Sequence, residues 1–191
     1  MANKKFDADI VLEQALATFW RYGFYGTTIP QLVKATTLRP GSLYREFGNK
    51  EALYKRALSR YTEKTIDNIN QVISESSDVL EGVLKILKGL QTSANSDSYC
   101  GCFLIKSQLE LSAHNPKVSA YVSTELARIE ENYKCQLMHF FTSAQSKLYA
   151  KQLMIVIFGL RVDGYQKNQL ENSEELLLGL LPWLGNEYQC Y

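Results

Sequence analysis

An all-α fold, with a helix-turn-helix head on a longer helical body, is predicted for this chain of 191 residues. Three observations predict it. Apolar residues recur at the three- and four-residue spacing of helices, and no segment sustains the period of two that a half-buried strand requires. Residues 28–50 read as two short helices joined by a tight turn, a unit whose second helix fits the DNA major groove. Charge is divided along the chain: residues 1–60, including Lys4 and Lys5, carry ten Lys/Arg against five Asp/Glu, a net of +5, and the remaining 11 basic and 15 acidic residues leave −4. A basic head on an acidic body suits a nucleic-acid reader joined to a separate regulatory part.

The first helix is expected over residues 7–22, where Leu12, Ala15, Leu16, Phe19 and Trp20 form one apolar stripe, and Gly23 stops it. Thr28 caps the second helix, with Gln31 where a capping box wants Glu or Gln. Pro30 and Pro40 fall in first helical turns, where the missing N–H has no partner to lose. In the third helix Leu43 and Phe47 face inward. Arg39, Ser42, Arg45 and Glu46 fall on the opposite face and offer donors to bases and phosphates. Asn49 caps a long fourth helix running to about residue 73, and residues 74–78 break it. A fifth helix continues through Leu90 into the polar loop 93–98. A sixth is expected over 101–113, stopped by His114-Asn115-Pro116. The seventh is expected over 116–144, the eighth over 146–166, and the ninth from Ser173 to Leu184, interrupted by Pro182.

Composition narrows the class. A hydrophobic content of 46% with balanced charge argues for an ordinary globular protein. The N-terminus is polar and lacks the apolar core of a secretory signal. The longest apolar run, residues 153–158, is far too short to span a bilayer. Four cysteines without such a signal read as free thiols in a reducing compartment, so a cytoplasmic protein without a membrane partner is expected.

Two stretches resemble a known family. Gly23-Phe24-Tyr25-Gly26-Thr27-Thr28, followed by Leu43-Tyr44-Arg45-Glu46-Phe47-Gly48-Asn49-Lys50-Glu51-Ala52-Leu53, is similar to the N-terminal signature of the TetR family of bacterial transcriptional regulators. Those spacings run unbroken over about thirty residues, which makes the motif specific. Residues 101–118, with Gly101-Cys102 and Leu109-Glu110-Leu111, resemble a weaker landmark of the family's regulatory part. The turn departs from the pattern: Thr36-Thr37 stands where a small residue and glycine are usual, and Arg39-Pro40 replaces a common serine-lysine pair.

The resemblance implies residues 1–48 as a DNA-binding domain and 49–191 as a ligand-binding and dimerisation domain. It implies a ligand-responsive repressor that binds a palindromic double-stranded operator as a homodimer. Operator contacts then fall to Thr28, Arg39, Gly41, Ser42, Tyr44, Arg45 and Lys50. Arg45 and Ser42 are expected at base edges, and Tyr44, Thr28 and Lys50 at phosphates. Candidates for holding a small-molecule effector are Tyr61, Phe103, Ser107, Tyr133, His139 and Phe158, against the alternative that each simply packs the core. The leucines of the last helix, with Leu177, Leu180, Leu181 and Leu184 at helical spacing, are expected to join a dimer interface with the eighth helix.

Cys100-Gly101-Cys102 leaves two readings open, a thiol switch near a helix start or a small buried hydrophobe in Cys102. Cys135 and Cys190 carry no neighbourhood signal. A full tetrahedral metal set is not expected with two histidines in the chain. No phosphate loop, catalytic triad or cofactor motif is present, so neither an enzyme nor a cofactor is expected. The alternatives to a ligand-responsive repressor are a thiol-responsive regulator using Cys100 and Cys102 and, at a distance, a thiol redox enzyme.

Overall fold

The computed structural model describes residues 6–166 and 174–185; Lys4, Lys5, Ser173 and Cys190 lie outside them. The described residues form nine α-helices and no strand, the all-α fold expected from the sequence. The helices are α1 (Ala8–Gly26), α2 (Ile29–Thr36), α3 (Pro40–Phe47), α4 (Lys50–Ser74), α5 (Val79–Ala94), α6 (Phe103–Leu111), α7 (Pro116–Leu137), α8 (Ser143–Asp163) and α9 (Glu174–Leu180). Single 3-10 turns follow at Gly164–Gln166 and Pro182–Leu184.

Some bounds differ from expectation, each for a local reason. Gly23 does break α1, with φ 75 and ψ −179, but one further turn forms beyond it to Gly26. Helix α7 stops at Leu137, not near residue 144, because Thr142 starts α8 at once. Thr142 Oγ1 accepts from the Gln145 N–H at 3.4 Å while Gln145 Oε1 accepts from the Thr142 N–H at 3.1 Å, a complete capping box. His139 therefore lies exposed in the intervening turn rather than on a helix. Helix α9 ends at Leu180, since Leu181 leaves helical geometry (φ −130, ψ 72) ahead of Pro182.

The chain divides into two compact units. The first gathers the chain up to Glu63 with Phe103–Leu126; the second gathers Lys64–Cys102 with the chain from Ala127 onward. In the first, Val11, Ala15, Leu16 and Phe19 make the buried stripe of α1, with Val11 rather than Leu12 at its start. Leu32, Leu43 and Phe47 bring α2 and α3 onto the same core. Burying each such side chain contributes about 1.5–3 kcal/mol. Edge-on aromatic contacts extend this core: Phe19 on Tyr54 (ring centroids 4.8 Å apart), Tyr54 on Phe103 (5.4 Å), Phe103 on Tyr61 (5.8 Å) and Tyr61 on Trp20 (5.1 Å).

In the second unit α5 packs against α8 and α9, and Val83, Leu87, Leu153, Leu177 and Leu181 are buried. A Cβ on Gly82 would stand 2.9 Å from Ile73 Cα, so glycine lets α4 and α5 approach across their short connection. Trp183 stacks on Tyr149 at 4.9 Å with 10° between the planes, and its Nε1 donates to Gln152 Oε1 at 3.0 Å. Leu148, Ile155 and Val162, seven residues apart on α8, stay exposed, as do Leu176 and Leu180 on α9. This corrects the single leucine stripe expected from the sequence. Leu177 and Leu181 point into their own unit because so short a helix packed on α5 buries one side and exposes the other.

Candidate nucleic-acid interface

Local chemistry builds the head. Thr28 Oγ1 accepts from the Gln31 N–H at 3.4 Å, and Gln31 Oε1 accepts from the Thr28 N–H at 2.7 Å, so both halves of the expected capping box form. At the other end of α2 the buried Thr36 donates to the Leu32 carbonyl at 2.7 Å, and its hydroxyl accepts from the Leu38 N–H at 3.4 Å. The chain then reverses through Thr37, at φ 57 and ψ 10 the one non-glycine residue with positive φ among those described. A threonine here carries a cost of roughly 1–2 kcal/mol that a glycine would not.

Helix α3 starts at Pro40, its first-turn N–H groups bonded to the Arg39 carbonyl, and buries Leu43 and Phe47. Its outer side carries Arg39, Gly41 and Arg45 exposed, with Ser42 and Tyr44 half-buried; Thr28 is exposed at the start of α2. Partial burial raises the Tyr44 hydroxyl above its ordinary pKa, so it stays a neutral hydrogen-bonding group. No atom lies within 4 Å of where a Gly41 Cβ would stand, which leaves the backbone open to approach. Asn49 Oδ1 caps α4 by accepting from the Ala52 N–H at 2.8 Å. Lys50, at the first position of α4, holds its ammonium 4.8 Å from the Phe24 ring centre. Burial lowers the Lys50 pKa, and the charge of Glu110 opposes that shift. Of the seven residues singled out for operator contact, Thr28 and Arg39 thus stand at the caps of α2 and α3, Gly41, Ser42, Tyr44 and Arg45 on α3, and Lys50 at the start of α4.

The sequence reading missed what sits behind them. Glu110 of α6 receives the backbone N–H groups of Phe24 and Tyr25, at 2.9 and 2.8 Å. Lys106, one turn earlier, donates to the Trp20 carbonyl at 2.7 Å. The Leu109-Glu110-Leu111 landmark was visible, but nothing in its spacing points to Gly23.

The effector candidates fall into separate groups. Tyr61 and Phe103 touch in the first unit, where the Ser107 hydroxyl donates to the Phe103 carbonyl at 2.7 Å and bonds the Tyr54 hydroxyl at 2.6 Å. Burial drives the Tyr54 hydroxyl far above its ordinary pKa. In the second unit Tyr133 is buried, Phe158 half-buried and His139 exposed. Burial likewise raises Tyr133 strongly. Cys100 and Cys102 are half-buried thiols, and Cys135 is an exposed one. Gly101 between the first two has φ +64, and the Tyr165 hydroxyl donates to the Cys100 carbonyl at 2.7 Å. Among the described residues no group of three or more His, Cys, Asp or Glu is placed to hold a metal, and no helix is long and apolar enough to cross a membrane.

A capped helix-turn-helix with a basic, open second helix, carried on an all-helical body, defines a DNA-binding regulator of transcription. Residues 11–57 match the model of the bacterial regulatory proteins of the tetR family. The chain is 29% identical over 138 residues to the HTH-type transcriptional repressor ComR of Escherichia coli (strain K12), covering 70% of this chain and 66% of ComR. It is 26% identical to the regulator YezE of Bacillus subtilis (strain 168), covering 69% and 68%. The chain thus spans about two thirds of the length of these curated relatives. Among solved structures it is similar to a cysteine mutant of the TetR family regulator CifR complexed with 26bp double-strand operator DNA, with a TM-score of 0.77, 25% identity and coverage of 98% and 100%. A TetR regulator from Chloroflexus aurantiacus shares the fold at a TM-score of 0.76 and 19% identity, covering 94% of each chain. The head of the chain thus matches the tetR family of bacterial regulatory proteins, and its relatives over about two thirds of their length are transcriptional regulators rather than thiol redox enzymes.

Proposed function

We propose that the chain is a cytoplasmic repressor that binds a palindromic operator as a homodimer and releases it when a small-molecule effector binds. The carrying observation is the open face of α3, with Arg45 and Arg39 exposed above the buried Leu43 and Phe47. Arg45 and Ser42 read base edges; Thr28, Tyr44 and Lys50 hold phosphates; Arg39 and Gly41 lie close to the backbone of the duplex. Repression is supported by the name of ComR and by that of BdcR, a repressor of Escherichia coli (strain K12) 22% identical to this chain over 115 residues. Residues 1–48 are the DNA-binding domain in this reading, and residues 49–191 take the effector and the second subunit. Tyr61 and Phe103 in one unit, and Tyr133 and Phe158 in the other, are the effector candidates with the most aromatic surface. Ser107 and His139 complete the set.

The outward faces of α8 and α9 support the dimer. Ile155 is 61% exposed and Leu180 51%, together with Leu148, Val162 and Leu176, in a pattern that a second copy would cover.

Selection of bound duplexes from a random pool tests the reading. An inverted repeat is expected, with half-sites one helical turn apart. Recovery of no preferred sequence would overturn it. A thiol signal is the second reading, favoured by the two half-buried thiols Cys100 and Cys102 standing two residues apart. Loss of operator binding on treatment with hydrogen peroxide, abolished in a Cys100→Ser/Cys102→Ser variant, would establish it over the effector.

A further inference from the structure

Helix α1 is broken at Gly23, and the break leaves backbone groups that an unbroken helix would have satisfied. Side chains of α6 take them up. Lys106 Nζ donates to the Trp20 carbonyl on the near side of the break at 2.7 Å. Glu110, four residues on and hence on the same side of α6, receives the N–H groups of Phe24 and Tyr25 on the far side. Each charge suits the helix end it meets, a cation at carbonyls and a carboxylate at N–H groups. The fit is close: a Cβ on Gly23 would stand 2.6 Å from Glu110 Oε2.

The segment so fixed leads to the DNA face. Phe24, whose N–H is held by Glu110, lays its ring 4.8 Å from the Lys50 ammonium and packs edge-on against Tyr54 at 5.0 Å. Four residues beyond Phe24 stands Thr28, the cap of α2. The geometry points to Glu110 as a positioning residue for DNA binding: seated on the Phe24 and Tyr25 amides, it fixes the Phe24 ring as the platform that aims Lys50 at a phosphate. A carboxylate beside a DNA-binding lysine would by charge alone weaken binding, so the two roles predict opposite signs.

The inference rests on Lys50 as a phosphate contact, and a double-mutant cycle separates the two. The full-length chain, with Glu110→Gln, Lys50→Ala and both together, is titrated by anisotropy against the duplex recovered from the random pool, over a series of salt concentrations. Glutamine keeps the shape but opposes an NH2 group to one of the two amides. It should weaken binding about tenfold in the parent and less than about twofold in the Lys50→Ala background. Lys50→Ala alone should lower the salt slope by roughly one unit. Tighter or unchanged binding by Glu110→Gln, or an equal loss in both backgrounds, would overturn the role assigned to Glu110. An inert Lys50→Ala would instead remove the phosphate contact beneath it. Should Glu110→Gln fail to fold, Phe24→Leu removes the platform and leaves the backbone bonds. It should reproduce the reduced salt slope, and an unaltered slope would overturn the proposal.

Discussion

The α2–α3 pair and the α8–α9 pair are both helical, yet they are specified by different means. In α2–α3 every boundary is decided within a few residues: Gln31 and Thr28 close one end, Thr36 and Leu32 the other, and Arg39 begins the next helix. In α8–α9 the decisive contacts come from α5 and from Trp183 reaching back to Gln152. Local chemistry fixes where a helix starts and stops. Which of several leucines turns inward is settled only by what packs against it.

That contrast is broken or sharpened most strongly by leucines of α9. Leu177 is fully buried, so Leu177→Glu should unfold its unit through an unpaired buried charge, a loss of more than about 4 kcal/mol in thermal or urea unfolding. The paired change Leu176→Glu/Leu180→Glu should leave the unfolding transition within about 0.5 kcal/mol per site in a monomer and yield monomers in sedimentation. If both variants behaved alike, the inward and outward sides would not be distinct. Next in size, Arg45→Ala should relax sequence preference at one operator position at a cost of about 1–3 kcal/mol, read by competition with single-base variants of the selected duplex. Within α2, Thr28→Ala removes a cap and should lower stability by about 1 kcal/mol. The smallest effect has the opposite sign. Thr37→Gly relieves the left-handed strain and should raise stability by roughly 0.5 kcal/mol, once the extra freedom of glycine in the unfolded chain is offset.

The same contrast sets what the sequence discloses. The helix-turn-helix, its caps and the outer face of α3 follow from Thr28, Gln31, Pro40 and the Leu43–Phe47 pair, all local signals. Thr142 and Gln145 form the same motif as Thr28 and Gln31, and reading it there would have ended α7 correctly and put His139 in a turn. The four leucines of the last helix share one spacing in the sequence, and only the packing of α9 on α5 separates the buried Leu177 and Leu181 from the exposed Leu180. Glu110 was beyond reach for another reason: it receives the N–H of Phe24, 86 residues earlier in the chain, and no periodicity carries that information.

The two tryptophans fall one to each unit, Trp20 edge-on to Tyr61 and Trp183 stacked flat on Tyr149. The protein thereby carries a separate optical reporter for each half. With Trp20 replaced by phenylalanine, the remaining emission comes from the stacked indole beside Gln152. With Trp183 replaced, it comes from the half that holds the DNA-reading helices. Recording the two variants against denaturant, duplex or candidate effector would time events in each half independently, with no label attached.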